Sequence, residues 1–174
     1  MPIDTRSLEA RFASAKVLIV DDEHYMRKVV RTLLMSIGVR TIYEAADGPS
    51  GLEMIRTVTP DMVILDWEVP GLDGAGVVRM VRSPQTFPLP DIPIIMLTGH
   101  GERSRVIQAI ELGVNEFLLK PVSSKALQSR MTSVLVNPRP VVQTGGYYGP
   151  APRNLVNTIN QDTDDAIINL VMLN

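Results

Sequence analysis

The chain has 174 residues, no cysteine, and a formal net charge of −2 from 17 basic and 19 acidic residues, with 45% hydrophobic and 21% charged residues. These are near globular averages, which excludes disorder throughout, and the missing cysteines exclude disulfides and thiolate metal sites. The basic residues form no stripe of the kind nucleic acid requires, no apolar run approaches a bilayer span, and Met1 to Arg6 lacks the apolar core of a signal peptide; the expectation is a soluble, cytoplasmic protein with no nucleic-acid or membrane partner.

In chain order, residues 1–15 form an N-terminal segment. Val17-Leu18-Ile19-Val20 then makes a short apolar run ending in Asp21-Asp22-Glu23 and reads as a strand buried on both faces of a parallel sheet. From Tyr25 to Ile37, Met26, Val29, Val30, Leu33, Leu34 and Ile37 follow the three-four spacing of one helical face, and Gly38 stops the helix. Val39 to Ala45 reads as a second strand, and Asp47-Gly48-Pro49 opens a second helix carrying Leu52 and Ile55.

Asp61 to Asp66 is the third strand and Gly74 to Arg82 the third helix. The prolines between Ser83 and Asp91 forbid a helix and predict an extended surface loop. Ile92 to Leu97 runs into Thr98 as a fourth strand. Glu102 to Leu112 is a fourth helix, stopped by Gly113; Val114 to Leu119 is a fifth strand running into Lys120-Pro121, and Ser123 to Val136 a fifth helix. This alternation predicts an α/β fold with parallel strands, right-handed crossovers and helices on both faces.

Residues 137–174 form a C-terminal extension. From Asn137 to Asn160 it is rich in Pro, Gly and Asn and reads as irregular, held only where Tyr147, Tyr148 and Leu155 cover a surface. From Asp162 to Leu173 it turns apolar again, with Asp162 or Thr163 placed to cap a short helix. Such a segment is expected to pack on its own domain or to close a homodimer. The 9 methionines read mostly as core filler, and Trp67 as a packing residue beside the strand ends.

All the polar strand-end residues fall at carboxyl ends, the edge that holds the ligand crevice in an open α/β sheet. Asp21, Asp22 and Asp66 gathered there would repel one another by about 4 kcal/mol per pair at 4 Å and an effective dielectric near 20, so the cluster calls for a cation. Oxygen-only ligands suit Mg²⁺, which shares its shell with phosphate. Asp66 would then serve as a nucleophile forming an aspartyl phosphate, Lys120 would offset the added negative charge, and the Thr98 hydroxyl would donate to a phosphate oxygen. For an isolated Asp21-Asp22-Glu23, capping the helix that begins near His24 would be the better reading; the company of Asp66, Thr98 and Lys120 changes the balance.

With Asp21-Asp22 after the first strand, Asp66 after the third, Thr98 after the fourth and Lys120-Pro121 after the fifth, residues 16–136 resemble the receiver domain of bacterial two-component response regulators. The resemblance implies a flavodoxin-like five-stranded parallel sheet in strand order 2-1-3-4-5. It implies that Asp66 takes a phosphoryl group from a phosphohistidine on a sensor histidine kinase, and that the protein is not an enzyme acting on outside substrates. Asp22 would bind Mg²⁺ directly, Asp21 mainly through water, and the Glu68 carbonyl would complete the protein's share. Pro121 would follow a cis peptide bond, Thr98 would move toward the phosphate, and Phe117 would be the switch aromatic. Glu68 and His100, two residues beyond Asp66 and Thr98, would modulate dephosphorylation.

The Pro-rich loop and the Tyr-Tyr-Gly-Pro tail look like those of single-domain receivers from alphaproteobacteria, although Ala151-Pro152 interrupts the usual run before Arg153. The expected output is a changed protein contact, because nothing after Val136 reads as an effector domain. The contact would be with a downstream target, a second copy, or a histidine phosphotransfer protein in a phosphorelay. Two other readings compete: a receiver-like adaptor indifferent to phosphate, and a metal-dependent phosphatase, which would need a substrate cap the sequence does not supply. The face made by the fourth helix, fifth strand and fifth helix is the expected dimer surface.

Overall fold

A computed structural model describes residues 4–152. The helices are α1 (Thr5–Ser14), α2 (His24–Ile37), α3 (Gly48–Val58), α4 (Gly74–Val81), α5 (Arg103–Leu112) and α6 (Ser124–Val136), and the strands are β1 (Lys16–Val20), β2 (Thr41–Ala45), β3 (Met62–Asp66), β4 (Ile94–Thr98), β5 (Glu116–Leu119), β6 (Val141–Thr144) and β7 (Tyr147–Pro150). Strands β1 to β5 form one parallel sheet in the order β2-β1-β3-β4-β5. The five β-α units, the parallel pairing and the strand order agree with the sequence reading.

Period-two alternation sorts the strand side chains into two layers. Val17, Ile19, Met62, Ile64, Ile95 and Leu97 join Val30 and Leu34 of α2 and Leu127 and Met131 of α6 in one core. Leu18, Val20, Val63, Leu65, Ile94 and Met96 face α3, α4 and α5 across the other. Burying every residue of β3 and β4 on both sides is what made them continuous apolar runs in sequence.

Both ends of the described chain carry more order than the sequence reading allowed. α1 lies inside the segment taken as a plain lead-in: the Asp4 side chain accepts from the Arg6 N–H at its N-cap, Phe12 is buried in the α2–α6 core, and Arg11 donates to the Leu135 carbonyl at 3.0 Å. Beyond α6, residues 141–150 form an antiparallel hairpin, β6–β7, where an irregular stretch was expected. Val141, Val142 and Thr144 are β-branched, and the two-residue Gly145-Gly146 connection, with Gly145 at φ +59°, is a hairpin signal.

The hairpin is bolted to the amino-terminal edge of the sheet. Arg139 donates to the carbonyls of Asn115 and Ala151, both at 2.7 Å, and the Tyr148 hydroxyl donates to Asp91. The expected helix from Asp162 to Leu173, and Leu155, lie outside the described residues.

The loop after α4 has no helix, as expected, but it is turned rather than extended. Thr86 and Phe87 N–H groups both donate to the Ser83 carbonyl, and Phe87 is buried under the Arg56 guanidinium at 4.8 Å. Arg82, the last residue of the α4 reading, is also buried. It donates to the carbonyls of Gly113, Pro90 and Ile92 and to Asn115 Oδ1; burial pulls its pKa down to about 10, so it stays charged at neutral pH. The methionines divide: Met62, Met96 and Met131 are core, whereas Met35 and Met80 are exposed. Among the described residues no helix is long and apolar enough to cross a membrane.

Candidate functional site

Strand register builds the site. Val20 pairs with Leu65, Asp66 with Leu97 and Thr98 with Leu119, so residues just beyond the ends of β1, β3, β4 and β5 arrive at one edge. They line a cleft of about 280 Å³ formed by Asp22, Glu23, Asp66, Glu68, Thr98, Gly99, His100 and Lys120. The β1–β3 step, where chain order reverses direction across the sheet, is the topological switch point at which such crevices open.

Asp21, Asp22 and Asp66 each offer an oxygen, and these oxygens lie within 4.8 Å of one another. Asp21 is 1% exposed and Asp66 5%, whereas Asp22 is exposed. Lys120 Nζ reaches both buried acids, at 3.2 Å from Asp66 Oδ2 and 3.4 Å from Asp21 Oδ2. Asp21 is committed at both oxygens, because its Oδ1 accepts from the Glu23 N–H at 2.8 Å. Arg27 adds a bond from Nη1 to the Asp21 carbonyl at 2.6 Å, tying the loop to α2.

Three carboxylates against one ammonium leave excess negative charge, and the proton affinities follow. Burial pushes the Asp66 carboxyl above the ordinary carboxylate range; Lys120 pulls it back and Asp21 drives it further up, and burial prevails. Burial works against the Lys120 ammonium, but Asp66 and Asp21 together outweigh it, so its pKa lies above the usual lysine value. A divalent cation would offset this excess negative charge. Its all-oxygen donor set, with one acid exposed and two sunk behind it, fits Mg²⁺.

The remaining predicted residues fall around this centre. Thr98 is 1% exposed, and its Oγ1 accepts from the His100 N–H at 3.1 Å. Glu68 and His100 meet across the mouth, Nε2 to Oε1 at 3.2 Å, so two residues picked out separately act on each other. The Lys120-Pro121 bond is cis. Phe117 is buried in the α3–α5 core, one strand over from Met96 and not in the cleft. Trp67 is buried beside the site, as expected.

One neighbour escaped the sequence reading: the Arg105 guanidinium of α5 stacks over Trp67, 4.9 Å from the ring centroid. Nothing in the spacing of Arg105 distinguishes it from a solvated helix residue. The loop after Asp66 is held close as well. A Cβ on Gly74 would come within 2.6 Å of the Asp66 carbonyl oxygen, and one on Gly48 within 2.0 Å of the Leu72 carbonyl oxygen.

This fold and this carboxylate-lysine edge define a receiver-type α/β domain, and comparison with known proteins places it. Residues 17–132 match the response regulator receiver domain. The chain is 33% identical over 119 residues to the chemotaxis protein CheY of Pseudomonas aeruginosa, covering 68% of this chain and 94% of that protein. It is 42% identical over 120 residues to the probable transcriptional regulator ycf27 of Guillardia theta, covering 69% of this chain and 45% of that protein, so it spans less than half the length of that relative. Among solved structures, the CheX-CheY-BeF3-Mg²⁺ complex of Borrelia burgdorferi is similar, with a TM-score of 0.64 and 26% identity over 71% of this chain and 90% of that one. The chain belongs to the response regulator receiver family.

Proposed function

We propose that this chain is a single-domain response regulator that accepts a phosphoryl group on Asp66 from a sensor histidine kinase and signals through altered protein contacts. The observation that carries the reading is the Lys120 ammonium set between Asp66 and Asp21, with the exposed Asp22 completing a cluster whose oxygens lie within 4.8 Å of one another. Asp22, one oxygen of Asp66 and the Glu68 carbonyl would hold Mg²⁺, and Asp21, with both oxygens already bonded, would reach it through water. When bound, Mg²⁺ supplies positive charge that offsets repulsion between the carboxylates and the incoming phosphoryl oxygens.

The chain's own groups do the rest. An Asp66 oxygen attacks phosphorus as the phosphorus–nitrogen bond of the donor phosphohistidine breaks, and the departing imidazole keeps the bonding electron pair and takes up a proton. Lys120 meets the charge of the transferred group, and the buried Thr98 hydroxyl is placed to donate to one of its oxygens. Phe117, buried in the α3–α5 core one strand over from Met96, is the residue to respond when Thr98 moves toward the phosphate. Glu68 and His100, paired across the mouth, stand where water must pass to hydrolyse the product.

Residues 16–136 form the receiver unit in this proposal, with α1 and the β6–β7 hairpin as additions packed on it. The phosphorylated chain would contact a downstream target or a second copy, or would pass the phosphoryl group to a histidine phosphotransfer protein; the solved CheY relative bound to CheX supports a protein partner. The test is incubation with acetyl phosphate and Mg²⁺. A hydroxylamine-labile phosphate absent from Asp66→Asn supports the reading, and equal labelling of that variant rules it out.

A further inference from the structure

The amino-terminal edge of the sheet, opposite the cleft, carries two adjoining hollows of about 440 and 430 Å³ that share Asp61 and Pro93 and so make one trough. Ala15, Val134, Leu135 and Pro138 line one end, where α1 and α6 finish, and Pro88, Leu89, Pro90 and Tyr148 line the other. Leu135, Pro138, Pro93 and residues 88–90 all keep part of their apolar surface in the open. The polar groups of the lining are committed within the chain. The Lys16 N–H donates to Asp61 Oδ2 and the Val63 N–H to the Pro93 carbonyl, Arg11 donates to the Leu135 carbonyl, Arg82 to the carbonyls of Pro90 and Ile92, and the Tyr148 hydroxyl to Asp91. The prolines bring no N–H of their own. What the trough offers an occupant is apolar contact, which suits an apolar segment better than a small polar ligand.

The described chain ends beside this trough. The Ala151 N–H donates to the Pro140 carbonyl and the Ala151 carbonyl accepts from Arg139, both at 2.7 Å, so the chain leaves the hairpin against the residues that follow Pro138. From there 22 residues, 153–174, remain, and residues 166–173, Ala-Ile-Ile-Asn-Leu-Val-Met-Leu, carry no charge. The stretch before them, 153–165, can extend over about 40 Å, so reach sets no limit. Asp162, Asp164 and Asp165 precede the apolar run, and the trough has a cation in its lining, Arg11. The large hydrophobics exposed elsewhere among the described residues, Tyr25, Met35, Met80 and Ile107, are spread over three helices.

We propose that this trough is the docking site for the chain's own apolar segment, residues 166–173, with the acidic residues before it drawn to Arg11. The inference concerns the sheet edge away from Asp66 and stands whether or not Asp66 accepts a phosphoryl group. An uncharged run of this kind left in water is a surface in search of cover, and the nearest cover to its point of departure is the surface shared by α1, α6 and the hairpin. A run this short does not hold a fold by itself, so protection of its amides reports docking rather than local structure.

The chain has no cysteine, so two introduced thiols report the contact without competition. Ser14 lines the trough, and Asn169 is the polar residue within the apolar run. In the full-length chain carrying Ser14→Cys and Asn169→Cys, oxidation at high dilution is expected to close an intramolecular disulfide. Adding Val171→Asp should slow that closure about tenfold, and adding Pro138→Asp, at an exposed position of the lining, about threefold. A tail that is tethered but not docked would close at a rate indifferent to either charge. In the cysteine-free wild type, the amides of residues 166–173 should exchange about tenfold more slowly than in Val171→Asp. Closure unmoved by Val171→Asp, or wild-type amides as fast as those of that variant, removes the docking, and closure unmoved by Pro138→Asp moves it off this trough; any of the three overturns the inference. Disulfide-linked dimers in place of the closed monomer also overturn it, because they make a second copy the occupant.

Discussion

Asp66→Asn should make the metal-free protein more stable at pH 7, although it deletes one of the two carboxylate partners of Lys120. At 3.2 Å and an effective dielectric near 20, the attraction between Lys120 and Asp66 is about 5 kcal/mol. Against it stand the repulsions from Asp21 and Asp22, each about 3.5 kcal/mol or more for oxygens within 4.8 Å, with the Asp22 share reduced by its exposure. The cost of burying the charge adds to the repulsive side, consistent with the raised pKa of Asp66. After solvent screening the balance favours asparagine by roughly 1–2 kcal/mol, a rise of a few degrees in melting temperature.

Urea denaturation in EDTA measures the difference. The cost of an acid whose pKa is raised on folding is fully present above the folded value and fades as pH falls through it, so the gap between variant and wild type should close between that raised value and 3.8. Saturating Mg²⁺ should invert the order, because binding stabilises wild type by about 2.7 kcal/mol at a hundredfold excess over Kd and the variant has lost a ligand. A variant less stable than wild type in EDTA at pH 7 would refute the charge reasoning.

Gly74→Ala should cost about 1–3 kcal/mol and slow labelling by acetyl phosphate, since the new methyl can be housed only by moving the backbone of Asp66 and Trp67; unfolding and labelling rates check both. Arg82→Met strands the carbonyls of Gly113, Pro90 and Ile92 and should cost about 3 kcal/mol or more, read from urea midpoints, while the cleft at the opposite sheet edge still takes label. Tyr148→Phe removes the bond to Asp91 and should raise amide exchange over residues 141–150 with under about 1 kcal/mol of global effect. Because that bond raises the Tyr148 pKa, the wild-type advantage should be fully present below pH 10 and lost as pH climbs through the higher folded value.

The core of the fold was legible because burial on both faces leaves the interiors of β1, β3 and β4 wholly apolar, and because their carboxyl ends carry chemistry that few turns would need. α1 was overlooked because its stripe is thin: only Phe12 is buried, and its remaining face is polar. Gly145-Gly146 between β-branched and aromatic residues signals the hairpin, but the surrounding prolines and glycines read as breakers and mask it. Side-chain pairings were beyond reach for a different reason. Glu68 with His100, and Trp67 with Arg105, join residues 32 and 38 positions apart whose meeting depends on the register of β3 against β4.

The near-contact of Gly48 with the Leu72 carbonyl sets one wall of the cleft apart from the other. The loop after β3 is wedged against the start of α3, and the Gly48 N–H also donates to the Pro70 carbonyl, so that wall has nowhere to retreat. Gly99, on the opposite wall, has open space around it. A phosphoryl group on Asp66, in the function proposed above, would thus have a close-packed loop on the α3 side and open space beside Gly99 on the other.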